Sequence, residues 1–218
     1  MIVEGYGIRL IRITKEDLEL VRHWRNTHHI QRFMEFREEI SVEQQLAWFD
    51  SINTIHNNYF LIEAKGEKVG LINGAGIDWE KNETKSAGIF VWDDTFWETI
   101  VPISASMLLA DTSILLGQKR TFIKILKDNK NAISFNKMLG YQLMPEKDEV
   151  ATQHYVLTPE SYLKKREKLR KMLFKHQELF KLNVIFEEPK DSISRFYIEK
   201  LKAISPRLKN ELNLIIRS

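Results

Sequence analysis

The chain contains no cysteine, which excludes a disulfide framework and any thiolate chemistry, nucleophilic or metal-binding, and fits a reducing compartment. Low-complexity tracts and internal repeats are absent too, so every part is expected to fold. No apolar run is long enough for a membrane. The most apolar window, Ile100 to Leu116, falls short of the roughly 20 residues a span needs and contains Asp111, so it reads as a buried helix. Met1-Ile2-Val3-Glu4-Gly5-Tyr6 lacks the basic region and apolar core of a secretion leader, which makes the cytoplasm the default expectation. A general excess of one charge is also missing. Residues 159–182 hold eight Lys or Arg against three Glu, a local +5 that leaves −2 for the remainder of a chain whose total is +3. One segment is basic and the surface as a whole is not, which argues against a nucleic-acid footprint. His23, His28 and His29 have no carboxylate at ligand spacing, so they read as loop histidines and no metal is expected.

What is present is a globular composition, 43% hydrophobic and 29% charged over 218 residues. That length suits one domain, or a domain of about 160 residues with an appendage. The chain opens on a strand at Ile8–Ile13, and Thr14-Lys15-Glu16-Asp17 forms a capping box for a helix through Trp24 that stops near Asn26. Ser41-Val42-Glu43-Gln44 is a second capping box, followed by an amphipathic helix. A hairpin with a glycine turn covers 58–78, another strand 85–92, and the buried helix starts near Pro102. A last strand is expected at 150–157. Thr158-Pro159-Glu160 then caps a long basic helix running to about Leu182, whose apolar side docks on the core or on a second copy, which allows a homodimer. Beyond it come a short strand at 183–186 and two helices, the second opening at Ser205-Pro206.

The stretch Arg120 to Leu143 organises the rest. Phe122, Ile123, Ile125 and Leu126 have the β-branched and aromatic content of a buried strand. Asp128-Asn129 gives a turn and a helix N-cap, and Ala132, Ile133, Phe135, Met138 and Leu139 follow at helical spacing. Gly140 stands where a left-handed C-terminal cap is wanted, and Tyr141 re-enters extended chain. A parallel neighbour needs a crossover helix, and 100–116 supplies one. The strands at 89–92 and 121–126 should therefore lie side by side, run parallel and diverge at their C-terminal ends, with Asn129 at the divergence.

Asn-x-x-Ala-Ile-x-Phe-x-Lys-Met-Leu-Gly-Tyr, from Asn129 to Tyr141, resembles the last acetyl-CoA-side motif of the GNAT superfamily of N-acetyltransferases, Asn-x-x-Ala-x-x-x-Tyr-x-x-x-Gly-Phe. The resemblance covers Ile8 to about Leu157. It implies an α/β (α+β) acyl-CoA N-acyltransferase fold, a mixed central sheet with flanking helices, over residues 1–158, with a mainly helical C-terminal extension over 159–218. It also implies acetyl-CoA as co-substrate and a small-molecule amine or a peptide N-terminus as acceptor. Trp24-Arg25-Asn26, with Phe33 and Met34 beyond, resembles the stretch that borders the acceptor cleft in relatives acting on nucleotide-linked amino sugars and on ribosomal-protein N-termini.

By the same resemblance the pantetheine arm pairs with the backbone of Phe90, Val91 and Trp92 and reaches toward Asn129 and Asn136, and the pyrophosphate falls on Trp97-Glu98-Thr99-Ile100-Val101-Pro102. There the family uses a glycine loop whose amides face the phosphates at a helix N-terminus. This sequence departs from that loop at every signature position. It departs again where the family's acid tyrosine aligns with Asn136 and its base carboxylate with Ser86. Asn136 is then the catalytic position, and Asp78, Glu83 or Asp93 acting through a water is the candidate base. The expectation is acetyl transfer with weakened cofactor binding; the alternative is a relative that has lost catalysis and serves as a binding or interaction module.

Overall fold

The computed structural model describes residues 1–31, 36–145, 151–204 and 210–217. Two strands, β1 (Ile2–Gly5) and β2 (Ile8–Arg12), open the chain as a tight hairpin. Its turn residues Tyr6 and Gly7 have φ of 53° and 76°, the left-handed pair that matches strand twist. β1 had escaped the sequence reading, because four residues are too few to show an alternation. Helices α1 (Leu18–Arg25) and α2 (His28–Gln31) follow, then α3 (Val42–Ile52). Both capping boxes form: Thr14 with Asp17, and Ser41 with Gln44. Strands β3 (Asn57–Ala64), β4 (Glu67–Asp78) and β5 (Glu83–Val91) make an antiparallel meander. The crossover helix α4 (Val101–Leu115) leads to β6 (Arg120–Leu126). Next come α5 (Lys130–Leu139), β7 (Gln142–Leu143) and β8 (Thr152–Leu157).

The C-terminal part differs from expectation in two places. Helix α6 (Pro159–Leu173) ends well before Leu182, because Phe174 turns extended and packs, with Phe180, against the ring of Tyr6 at 5.2 and 6.4 Å. After β9 (Leu182–Glu187) and α7 (Ser192–Lys202), residues Leu212–Arg217 are not helix but strand β10, parallel to β9. The helix opening at Ser205-Pro206 lies outside the described residues. Ladder bonds from β9 decide the conformation of this segment, whose Leu and Ile suit a strand as well as a helix.

Among the described residues these strands form one mixed sheet in the order β10-β9-β1-β2-β3-β4-β5-β6-β8-β7. A large apolar core lies on the face covered by α4 and α6, where the Tyr162 hydroxyl donates to the Met107 carbonyl at 3.0 Å. A smaller one lies under α1 and α3 and includes Val21, Phe49, Leu61, Leu71 and Trp92. The basic helix thus docks on its own core and keeps its lysines exposed.

Candidate active site

β5 and β6 run parallel, as expected, and pair only at Glu83–Arg120 and Thr84–Thr121. Past that point they part, and the edge of β5 from Lys85 onward has no ladder partner on that side. The result is a V-shaped opening in the sheet, lined by backbone amides and carbonyls that an extended, amide-bearing chain could pair with. Phe90, Val91 and Trp92 lie at its open end, and α5 starts across it.

The α5 motif is spent largely on its own helix. Asn129 Oδ1 caps the Ala132 amide at 3.0 Å, and Asn136 Nδ2 donates to the Ala132 carbonyl at 2.9 Å. Gly140 has φ of 109°, and a Cβ there would sit 2.7 Å from the Ser161 carbonyl oxygen, so glycine is needed for both conformation and space. An amide at Asn136 is no proton donor for a leaving group.

At the start of α4 the anion site is donor-poor. Thr99 Oγ1 occupies the Val101 amide at 3.2 Å, and Pro102 has no N–H. That leaves Ile103 as the first-turn amide that no acceptor among the described residues takes up. Ile100, at the cap position, offers no side-chain acceptor, and Trp97, Glu98 and Ile100 are exposed. The free backbone edge expected on β5 is therefore present, while the start of α4 offers few free amides.

The candidate bases are occupied. Asp78 Oδ1 accepts from the Lys81 and Glu80 amides at 3.0 and 3.1 Å, bonds that hold its carboxyl below the usual range. Glu83 is ion-paired with Arg120 at the closed end of the V. Asp93 Oδ1 caps the turn at 94–96, taking the Thr95 amide at 2.9 Å and its hydroxyl at 2.6 Å. Asp78 and Glu83 stand opposite each other as register partners of β4 and β5 at the closed end of the V, whereas Asp93 lies beyond the other end of β5. Among the described residues no group of three or more His, Asp or Glu is placed to hold a metal, and no helix is long and apolar enough to cross a membrane.

On the α1 side, the Trp24-Arg25-Asn26 run divides into three jobs. Trp24 stacks on Trp92 of the β5 end, centroids 5.9 Å apart and planes at 6°. Asn26 holds Ile40 through both backbone groups, each at 2.9 Å. Arg25 is half-buried with its guanidinium 5.9 Å from the Phe90 ring, and among the described residues no acceptor takes its Nε, which is sealed from solvent. Burial pushes its pKa down. Phe33 and Met34 lie outside the described residues. Missed altogether in the sequence were Tyr59, Asn73 and Gly88, which pair side by side across β3, β4 and β5 and form the floor beside Arg25. Lys124 and His154 were missed as well; they are register partners on the face opposite Ile123 and Tyr155. Only strand register joins such residues, and no single-chain pattern reports it.

A mixed sheet opened by a V, with a helix N-terminus at its mouth and a capped helix after it, defines an acyl-CoA N-acyltransferase architecture. The Acetyltransferase (GNAT) domain family matches residues 8–154, and the chain belongs to that family, whose enzymes use acetyl-CoA as co-substrate. Among solved structures it is similar to RimL, the ribosomal L7/L12 alpha-N-protein acetyltransferase in complex with coenzyme A. There the TM-score is 0.64 at 14% identity, covering 74% of this chain and 99% of that one. FdhC, a nucleotide-linked sugar GNAT, gives 0.64 at 14% identity over 79% and 98% of the two chains. Spermidine N-acetyltransferase from Vibrio cholerae, in complex with CoA and spermine, gives 0.62 at 14% over 72% and 98%. No curated protein matches the sequence.

Proposed function

We propose that this acetyltransferase acylates the primary amine of a nucleotide-linked amino sugar or of a protein N-terminus, within a ternary complex at the β5–β6 opening. The parting of β5 from β6, with α5 starting across the gap, is the observation that carries the reading. Acetyl-CoA supplies the thioester. The amine nitrogen bonds to the acetyl carbon, the C–S bond breaks, and the thiol recovers the proton the amine sheds. The β5 edge orients the arm through backbone pairing, which survives almost any side-chain change. Asn136 donates no proton, but a thiol of pKa about 8.5 leaves tolerably as thiolate.

The donor-poor start of α4 favours a second reading, a relative whose catalysis has lapsed. One missing amide costs about 1–3 kcal/mol. Glu98 near a phosphate adds repulsion. Thermal melting separates the two readings. Acetyl-CoA at about 100 times its Kd stabilises by about 2.7 kcal/mol, and Glu98→Gly should enlarge the shift. Absence of any shift in either protein at millimolar acetyl-CoA, with no thiol released when amino sugars or peptide amines are added, leaves only the lapsed reading.

A further inference from the structure

The two ends of the sheet are finished differently. At one end β7 is only two residues long, Gln142–Leu143, too short to offer another chain a ladder. At the other, β10 runs for six residues as Leu-Asn-Leu-Ile-Ile-Arg, pairs with β9 alone among the described residues, and has no buried position. It carries none of the devices that blunt an edge: no proline, no lysine, no bulge in its register with β9, and a charge only at its last residue, Arg217. Its backbone divides into two sets. The Leu182 and Glu188 amides donate to the carbonyls of Glu211 and Arg217 at 2.9 and 3.0 Å, so in this parallel ladder residues 211, 213, 215 and 217 turn their backbone groups toward β9. Leu212, Leu214 and Ile216 therefore turn theirs outward, and nothing among the described residues pairs with them.

We infer that β10 is a dimerisation strand: a second copy of this chain adds its own β10 antiparallel across a two-fold axis at Leu214, joining the two sheets edge to edge. The spacing of the strand specifies that partner. An antiparallel pair exchanges both N–H···O bonds at alternate positions. A two-fold at Leu214 sets Leu214 against its own copy and Leu212 against Ile216, so every outward amide and carbonyl meets an outward group. A register two residues away gives up one of these pairs. The side chains agree. Leu212 and Leu214 already pack against the main core and Ile216 is 46% exposed, so a row of Leu and Ile meets its like and covers that exposed surface. Arg217 comes level with Glu211 of the second copy, and no like charges are opposed. One strand against one strand is a small contact, which places the dissociation constant on the order of 1–100 µM. β9, β1, β2, β3 and β4 separate β10 from β5, so the pairing leaves the β5–β6 opening of each copy free.

The test is sedimentation velocity of the full chain from low micromolar to millimolar concentration, where the wild type should show a concentration-dependent dimer. Ile216→Lys puts an ammonium on the open edge at a position that is already partly solvated, and should weaken the dimer tenfold to a hundredfold while the urea unfolding midpoint stays near wild type. Met172→Lys makes the same change in charge on α6, at a side chain 60% exposed, and should leave the dimer intact because the basic helix is not in the contact. The chain has no cysteine, so single introduced cysteines report the register. Leu214→Cys should form a disulfide-linked dimer on mild oxidation, since the two Cα atoms stand about 5.5 Å apart. Ile216→Cys is the more exposed site, yet it should link far more slowly, because its two copies stand roughly 14 Å apart along the paired strands. A wild type that stays monomeric at millimolar concentration overturns the inference, as does a dimer that Met172→Lys abolishes and Ile216→Lys spares. If Ile216→Lys fails to fold, cross-linking decides: Leu214→Cys ahead of Ile216→Cys supports the two-fold, and the reverse order refutes it.

Discussion

Two regions of this molecule bury arginine, and they do it in opposite ways. Under α4 and α6, Asp111 is 2% exposed and accepts from the Tyr6 hydroxyl, from Arg166 Nη1 at 3.1 Å and from Arg170 Nη2 at 3.5 Å. Glu211 closes the group on the side of β10, at 2.8 Å from Arg166. The β1–β2 turn, the crossover helix, the basic helix and the residue leading into the last strand are thereby tied into one cluster. Burial pushes the Asp111 pKa up, and Arg166 is the first of the groups pulling it back. Under α1, the half-buried Arg25 lies beside the Phe90 ring and near Tyr59, and among the described residues its Nε has no acceptor. The carboxylate-rich cluster joins distant parts of the fold, although Arg166 Nε within it stays without a hydrogen bond, whereas at Arg25 no carboxylate answers the guanidinium among the described residues.

The largest expected effect breaks the carboxylate-rich side. Asp111→Ala removes the most deeply buried carboxylate from beside two guanidiniums, leaving them Glu211 and the Tyr6 hydroxyl, and should cost about 3 kcal/mol, read from urea unfolding midpoints. Replacing the three partners together, Asp111→Leu with Arg166→Met and Arg170→Leu, should recover most of that loss, because a packed apolar cluster is close to neutral against a buried ion group. A loss under about 1 kcal/mol for the single change would mean that the cluster does not tie these elements together.

The side without a carboxylate should respond with the opposite sign. Arg25→Met keeps a long stem against Phe90 and removes a buried donor with no acceptor, so the unliganded protein should gain about 1 kcal/mol, discounted because the head is partly solvated. The same denaturant measurement checks it. A clear loss of stability would assign Arg25 to the architecture instead of the acceptor.

The contrast explains what the sequence could and could not reveal. Both capping boxes, the Asn129 cap, the Gly140 C-cap and the parallel V were legible, because each rests on residues a few positions apart or on a chirality rule that leaves one choice. Asp111 was legible only as a charge that spoils a membrane span; its partner Tyr6 lies 105 residues away, beyond any local signal. Strand β10 and the early end of α6 depend on β9 and on the Tyr6 ring in the same way. At the site, the run Trp24-Arg25-Asn26 was visible, but the division of labour within it was not. A stacking Trp24, a backbone-locking Asn26 and an Arg25 whose Nε no acceptor among the described residues takes all fit the same local pattern, and only tertiary contacts separate them.

A third carboxylate lies between these extremes and should give the smallest effect. Asp17 Oδ1 meets the Lys68 ammonium at 2.7 Å, while its Oδ2 takes the Thr14 amide and hydroxyl, each at 3.0 Å. Burial alone would raise its pKa; Lys68 and Thr14 outweigh that and hold the carboxyl below its ordinary value. The sign follows from linkage. A group whose pKa is lower folded than unfolded contributes stability above its unfolded value, near 3.9, and loses it as pH falls through the folded value. Because the Lys68 side chain is 40% exposed against 7% for Asp17, the pair is partly screened and should be worth under about 1 kcal/mol. Lys68→Met removes one of the two opposing influences, so the stability lost between pH 5 and about pH 3 should shrink relative to wild type in paired urea titrations. Salt should narrow that difference, since half of the pair faces solvent. Identical acid slopes for the two proteins would show that Thr14 alone sets the Asp17 pKa, and that Lys68 belongs to the solvated surface.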